Sequence, residues 1–459
     1  MVGGNWKAAA AVTLVVGAAS AIDLDITDEQ SLKNAAATAA FNTMSNYTAN
    51  QTGQAPGALP SIWWEGGALF DILIQYWAWT GDASNNPAVS QGMYWQRGSG
   101  DDYMPRNYSS YLGNDDQVTW GLAAMTAAEM GFPQQDSMPS WLTLAENVFN
   151  AMSARWDDRH CGGGLRWQIW PYQAGYTNKN ALTNGGFFEL AARLARYTNN
   201  ETYSSWAEKT WNWSTNVSLI NTDRWTVADS TSVSDNCANL GYLQWSLNYG
   251  AYITGAAYMY NLTDGKTSMW KSGLDGLLNT SFTNFFPEKY GGKIMSEVTC
   301  ESQDLCNRNE ELFKGLFAQD LSFVTLLAPH TASDILPRLQ DSAIGAAKQC
   351  SGGTNNTLCG LHWYKDTWDG TSSREEQLIA TSLFTANLVT FDHKALQTQS
   401  SLANTTTSST AGGSQTKTSS SASGTSSSAS GTSSNAAVRL SSSLFVLAAV
   451  ISVGVFVIA

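Results

Sequence analysis

Residues 182–217 read LTNGGFFELAARLARYTNNETYSSWAEKTWNWSTNV. The first half, 182–198, is rich in small residues and apolar on most faces. The second, 201–217, has one apolar and one wet face, and Thr198-Asn199-Asn200 breaks the two apart. A helix apolar all round is buried, whereas an amphipathic one lies outside it. The stretch therefore reads as one inner and one outer helix. The pattern recurs along the chain. Apolar residues at i, i+3 and i+4 mark helices near 28–47, 67–80, 87–96, 115–130, 140–156, 180–198, 202–217, 243–261, 267–284, 309–328, 331–349 and 373–391. Breakers separate them: Gly81-Asp82, Gly131-Phe132-Pro133, Asp264-Gly265, Pro329 and Gly352-Gly353. Strand alternation is almost absent. Six buried helices inside six surface ones is the plan of an all-α (α/α)6 barrel. A helical solenoid is the rival, but no fixed-period motif recurs.

The ends have other compositions. Residues 1–21 carry Lys7, an apolar run over 8–18 and the small-x-small site Ala19-Ser20-Ala21, the pattern of a secretory signal peptide. The body is expected over 22–399. Residues 400–434 collapse to Ser, Thr, Gly and Ala, as in an O-glycosylated stalk. Residues 435–459 place small residues, with Asn435 as the candidate attachment point, before a short spacer and a terminal apolar run. That is a GPI-anchor signal, removed on lipid attachment; as a transmembrane helix the run is short. The expected location is the cell surface, on the plasma membrane through a lipid anchor and facing the cell wall. Sequons at Asn46, Asn50, Asn107, Asn200, Asn212, Asn216, Asn261, Asn279, Asn355 and Asn404 fit a secretory route. Six cysteines suit disulfides there. Cys300 with Cys306 and Cys350 with Cys359 are close enough to clip loops, which leaves Cys161 with Cys237; no CxxC spacing favours zinc. A net charge of -13 argues against nucleic acid as a partner.

In such a barrel the loops entering the inner helices gather on one face. Here they are rich in Trp, Tyr, Asn and acids: 61–67, 111–116, 175–184, 241–250, 307–315 and 371–377. Aromatic rings stack on sugar C–H faces while amides bond hydroxyls. Trp64, Trp167 and Trp245, at loop–helix junctions, are candidates for that cleft, with core packing as the alternative; Trp77, Trp79, Trp206 and Trp211 read as core. Three Asp-Asp pairs compete for the chemistry. Asp101–Asp102 and Asp157–Asp158 look like solvated turns. Asp115–Asp116, in YLGNDDQVTW (111–120), opens an inner helix on the cleft face. Two carboxyls about 5–5.5 Å apart suit a retaining glycosidase. The helix N-terminus favours one anion, and the neighbour, feeling that charge, titrates higher and can donate a proton. No metal-ligand pattern or cofactor fingerprint occurs, and the four histidines form no constellation.

These residues also carry a resemblance. YLGNDDQVTWGLAAMTAAE (111–129), GGLRWQI (163–169), YTNKNALTNGGFFELAARLARYT (176–198), WSLNYGAYITGAAYMY (245–260) and LFKGLFAQDLSFV (312–324) resemble, in order, the motifs of glycoside hydrolase family 76. With the expected leader, stalk and anchor, the chain is similar to that family's fungal cell-wall-biogenesis branch. The resemblance implies the (α/α)6 fold and action on α-1,6-linked mannose as an endo-mannanase or a transglycosidase. Asp115 falls on the nucleophile and Asp116 on the acid/base. Asn114, Asn180, Asn184, Asn248 and Lys314 become candidate sugar contacts, with helix capping or packing as the alternative for most of them. Leu-Asn-Tyr-Gly at 247–250 departs from the bacterial Tyr-Asn-Gln-Gly, so Tyr249 has no role by position. The implied partners are α-mannan or a GPI glycan as substrate and β-glucan as acceptor, for a monomer needing no cofactor. Two other classes remain: a non-catalytic carbohydrate-binding surface protein on the same fold, and another sugar enzyme such as a lyase or an inverting glucosidase.

Overall fold

A computed structural model describes residues 22–59, 62–391 and 395–401. The expected signal peptide (1–21), nearly all of the stalk (400–434), the anchor signal (435–459), Asn404, Asn435 and His393 lie outside the described residues. Among those described there are twelve α-helices: α1 Glu29–Ser45, α2 Trp64–Thr80, α3 Asn86–Gln96, α4 Asn114–Met130, α5 Trp141–Ser153, α6 Ala181–Thr198, α7 Glu201–Asn216, α8 Ser246–Leu262, α9 Ser268–Phe285, α10 Glu310–Leu327, α11 Ala332–Gln349 and α12 Arg374–Asn387. The even-numbered helices touch in the order α2, α4, α6, α8, α10, α12, and α12 closes on α2. The odd-numbered ones cover this ring from outside, α7 on α6, α9 on α8 and α1 on α12 among them. The two layers expected from the alternation are there.

The chemistry of each layer explains its place. On α8 every residue from Ser246 to Met259 is buried, whereas on α7 burial is confined to Tyr203, Ala207, Thr210, Trp211, Trp213 and Ser214. Small residues let the inner helices approach. A β-carbon on Gly315 of α10 would come within 2.5 Å of Ile379 on α12. Caps set the ends: Asn200 and Ser373 accept from Thr202 N and Glu375 N at the starts of α7 and α12, and left-handed Gly81 and Gly131 stop α2 and α4. No helix among the described residues is long and apolar enough to cross a membrane.

Two small sheets were not legible from the sequence. β1 (Asn178–Asn180) pairs antiparallel with β4 (Ser230–Ser232), and β2 (Ile220–Asn221) with β3 (Thr226–Val227). The first matters most, because it lays the segment entering α6 against the segment before α8. Disulfides Cys161–Cys237, Cys300–Cys306 and Cys350–Cys359 all lie in stretches leading into inner helices. The first joins the segments before α6 and α8 across 76 residues of chain. The barrel's entry face is thus the most cross-linked part of the molecule.

Candidate active site

The inner-helix entries enclose a cleft of about 620 Å³, within the range of small-molecule sites. Asp115, Asp116, Trp63, Trp64, Tyr111, Trp167, Asn180, Asp229, Trp245, Asn248, Asn309 and Phe313 are among the side chains lining it. The acid pair sits in the first turn of α4. Its preceding loop is held by a short antiparallel bridge between Gly113 and Gln168, with Asn114 N donating to Trp167 O at 2.8 Å. Gly113 caps the helix without a side chain, so only half of a capping box exists: Gly113 N donates to Asp116 Oδ2 at 2.7 Å.

The two carboxyls live in different fields. Asp115 accepts from Asp116 N at 3.0 Å through Oδ1 and from Asn180 Nδ2 at 3.1 Å through Oδ2, with a further bond from the Trp167 side chain. Burial pushes it up to about 6, and these donors oppose the rise. Asp116 is pushed up to about 8, by burial first and then by the charge of Asp115. The proton therefore stays on Asp116 when Asp115 has lost its own. One anion beside one acid, both opening on the cleft, is the protonation state that glycoside cleavage with retention requires.

Residues 31–400 match the glycosyl hydrolase family 76. The chain belongs to that family. Among its relatives, the mannan endo-1,6-alpha-mannosidase DCW1 of Saccharomyces cerevisiae is 42% identical over 365 residues, covering 79% of this chain and 80% of that protein. The mannan endo-1,6-alpha-mannosidase DFG5 of Candida albicans is 37% identical over 384 residues, covering 82% and 84%. Dfg5 from Chaetomium thermophilum, solved in complex with glucosamine, is 38% identical with a TM-score of 0.78, covering 82% of this chain and 94% of that one. An α-1,6-mannanase of Salegentibacter sp. HEL1_6, solved as an inactive double-aspartate variant with α-1,6-mannotetrose, shares the fold at 18% identity and TM-score 0.61, covering 78% and 99%.

This family 76 member is a glycoside hydrolase, and its fold sorts the residues singled out from sequence. Trp64, Trp167, Trp245, Asn180 and Asn248 line the cleft with the acid pair. Trp64 Nε1 donates to Asn309 Oδ1 at 2.8 Å, and Asn248 Nδ2 to Asp229 Oδ1 at 3.2 Å. Asn114, Asn184 and Lys314 lie elsewhere. Asn114 is a buried brace that donates to Arg166 O and accepts from Arg155 Nε. Asn184 accepts from Leu165 N and donates to Leu165 O and Asn180 O, fixing the loop behind the cleft. Lys314 is fully buried, 2.7 Å from Glu301 and bonded to Leu361 O. Each is spent on protein partners.

Some expectations need correction. Asp157 is no solvated turn, for it pairs with Arg166 at 2.9 Å, His160 at 3.0 Å and Lys179 at 3.4 Å. Asp101 pairs with Arg97 and Asp102 accepts from Met104 N; of those four acids only Asp158 is well exposed, at 73%. Asn261 is half-buried, accepting from Arg196 Nε and donating to Leu327 O, so its amide is engaged with the protein at both ends. The other described sequon asparagines are exposed. Tyr249 is core, its hydroxyl donating to Gln244 Oε1 at 2.6 Å. Among the described residues, Cys300, Cys306 and Glu310 have metal-like spacing, but both sulfurs are in a disulfide.

Sequence reasoning missed Asp229 and Gly113. Asp229 lines the cleft, and its carbonyl accepts from Ala181 N at the head of α6. No motif pointed to it, since it is brought there by the β1–β4 pairing. A β-carbon on Gly113 would stand 2.3 Å from Asp115 Oδ1. Its signal was in the sequence, a glycine directly before the acids.

Proposed function

We propose that this family 76 enzyme cleaves α-1,6-mannose linkages internally and with retention, and that it passes the mannosyl unit to a β-glucan hydroxyl. The observation that carries the reading is the acid pair in the first turn of α4, with Asp115 stabilised as the anion by Asn180 and Trp167 while Asp116 keeps its proton. Asp115 attacks the anomeric carbon as Asp116 gives its proton to the leaving oxygen, and a glycosyl ester forms on Asp115. Asp116, now ionised, takes the proton from the incoming hydroxyl, water or sugar, as that ester breaks. The chemistry needs two carboxyls and no cofactor. The names of the relatives support α-1,6-mannan as substrate.

Transfer rather than hydrolysis is supported by place. A leader, a Ser/Thr stalk and a GPI signal would hold the enzyme at the membrane facing the wall, beside mannose-bearing GPI glycans and glucan. The test is incubation with an α-1,6-mannooligosaccharide, with and without a β-glucan oligosaccharide, and mass analysis of products. Mannose–glucose hybrids lost in both Asp115→Asn and Asp116→Asn are expected. Shorter mannans alone would reduce the function to hydrolysis, and binding without conversion would favour the non-catalytic binding protein.

A further inference from the structure

Beyond the cleft, two aromatic rings stand in an unusual setting. Trp170 and Tyr172 are 37% and 71% exposed, and their ring planes lie within 2° of parallel with centroids 6.4 Å apart. An exposed tyrosine ordinarily turns its polar tip to water and its ring toward protein. Here the reverse holds. Tyr172 OH donates to Ser110 O at 2.6 Å, Trp170 Nε1 donates to Ser109 O, and Gln173 Nε2 also reaches Ser110 O at 3.2 Å. The polar ends are consumed in pinning the rings, and carbon surface is what remains for solvent. Exposing ring carbon costs hydrophobic free energy, and fixing the rings costs rotamer entropy.

The place of the pair is as telling as its orientation. The serines that hold it directly precede Tyr111, which lines the cleft, and Trp170 follows two residues after Gln168, which also lines it. Residues 107–113 and 167–178 contain no Asp, Glu, His, Lys or Arg, and of the two arginines that flank them Arg166 is already paired with Asp157 at 2.9 Å. An uncharged ligand with flat apolar faces suits such a surface. The geometry points to Trp170 and Tyr172 as an extension platform that stacks the pyranose rings of a neutral glycan chain leaving the cleft past Tyr111. The ligand class rests on the proposed function. The chain is either the mannan donor's far end or the β-glucan acceptor.

The test titrates the full-length protein carrying Asp115→Asn and Asp116→Asn, with and without Trp170→Ala and Tyr172→Ala. The probes are α-1,6-mannooligosaccharides of two to six units and β-1,3-glucan oligosaccharides, read by calorimetry. Loss of both stacking rings predicts roughly tenfold weaker binding of the long members of one series, with mannobiose unchanged. The series that weakens identifies donor or acceptor. Equal affinities for both forms at every length would overturn the platform and leave the proposed function standing. Failure of both sugar series to bind the parent would sink the proposed function and the platform's ligand together. An Asn107→Gln arm is included because that sequon is nearby. Length-dependent binding that appears only in this arm would show the rings to cover the protein's own glycan, against the inference.

Discussion

A β-carbon on Gly113 would crowd the Asp115 carboxyl at 2.3 Å, although its backbone angles, φ -86° and ψ 167°, are open to alanine. Gly113→Ala should therefore move the carboxyl without straining the chain. A displacement of about 1 Å can lower turnover on the order of 100-fold, while the loss of stability should stay near 1 kcal/mol. Steady-state kinetics beside a thermal melt would check this, and an unchanged rate would contradict it. The pair itself predicts a bell-shaped dependence of kcat/KM on pH. Activity falls on the acid side as Asp115 gains a proton, near 6, and on the alkaline side as Asp116 loses its own, near 8. Both limbs belong to the pair as a unit. Asn180→Ala removes a donor that favours the Asp115 anion, so the acid limb should move up by up to about one pH unit. A pH–rate profile that keeps its acid limb would exclude this role.

At the scale of elements, helix α10 shows how a motif can name a residue without naming its direction. Lys314 stands in a family motif, yet its ammonium faces Glu301 in a fully buried pair, next to the Trp363 ring. Lys314→Met should leave Glu301 buried without its cation and destabilise the protein by about 3–5 kcal/mol. Catalysis by the remaining folded enzyme should change little. Melting curves and kinetics at low temperature separate the two, and lost activity with an unchanged melt would return Lys314 to the substrate. The layers were legible because burial on all faces or on one is written in local composition, as in 182–217. The acid pair was legible because adjacent aspartates are rare company at an inner-helix start. Asp229 and the clamp of Glu65 with Arg308 and Arg374, at 3.1 and 2.9 Å, were not. Both depend on partners tens to hundreds of residues away, and no local period encodes such contacts.

Across the whole molecule the barrel buries many acids and few cations. Arg193 pairs with Glu129 at 2.7 Å and Glu189 at 3.1 Å, and faces Asp71 and Asp320 as well. Burial holds Asp71 up and Asp320 well above the usual range, and pushes Glu189 and Glu297 up to about 8 and Glu65 to about 7. Raised carboxyls favour the protonated fold, so their contribution is complete below the unfolded value near 4.5 and is lost as pH climbs toward 8. Glu375 acts oppositely. Against burial, bonds from Glu65, Ser373 and Arg308 hold it down to about 2, so its contribution fades only as pH falls from about 4.5 toward that value. Thermal melts should therefore peak near pH 4–5 and decline by several degrees toward pH 8. A melt temperature that rises over that interval would contradict the assignment of protons to these acids.

The central claim, that Asp115 attacks while Asp116 donates, is tested most directly by the anomeric form of the first product. Proton NMR during cleavage of an α-1,6-mannooligosaccharide should show the α-anomer appearing first and mutarotating later, as retention through a glycosyl-Asp115 demands. First appearance of the β-anomer would mean a single displacement by water, and would contradict the roles given to both residues.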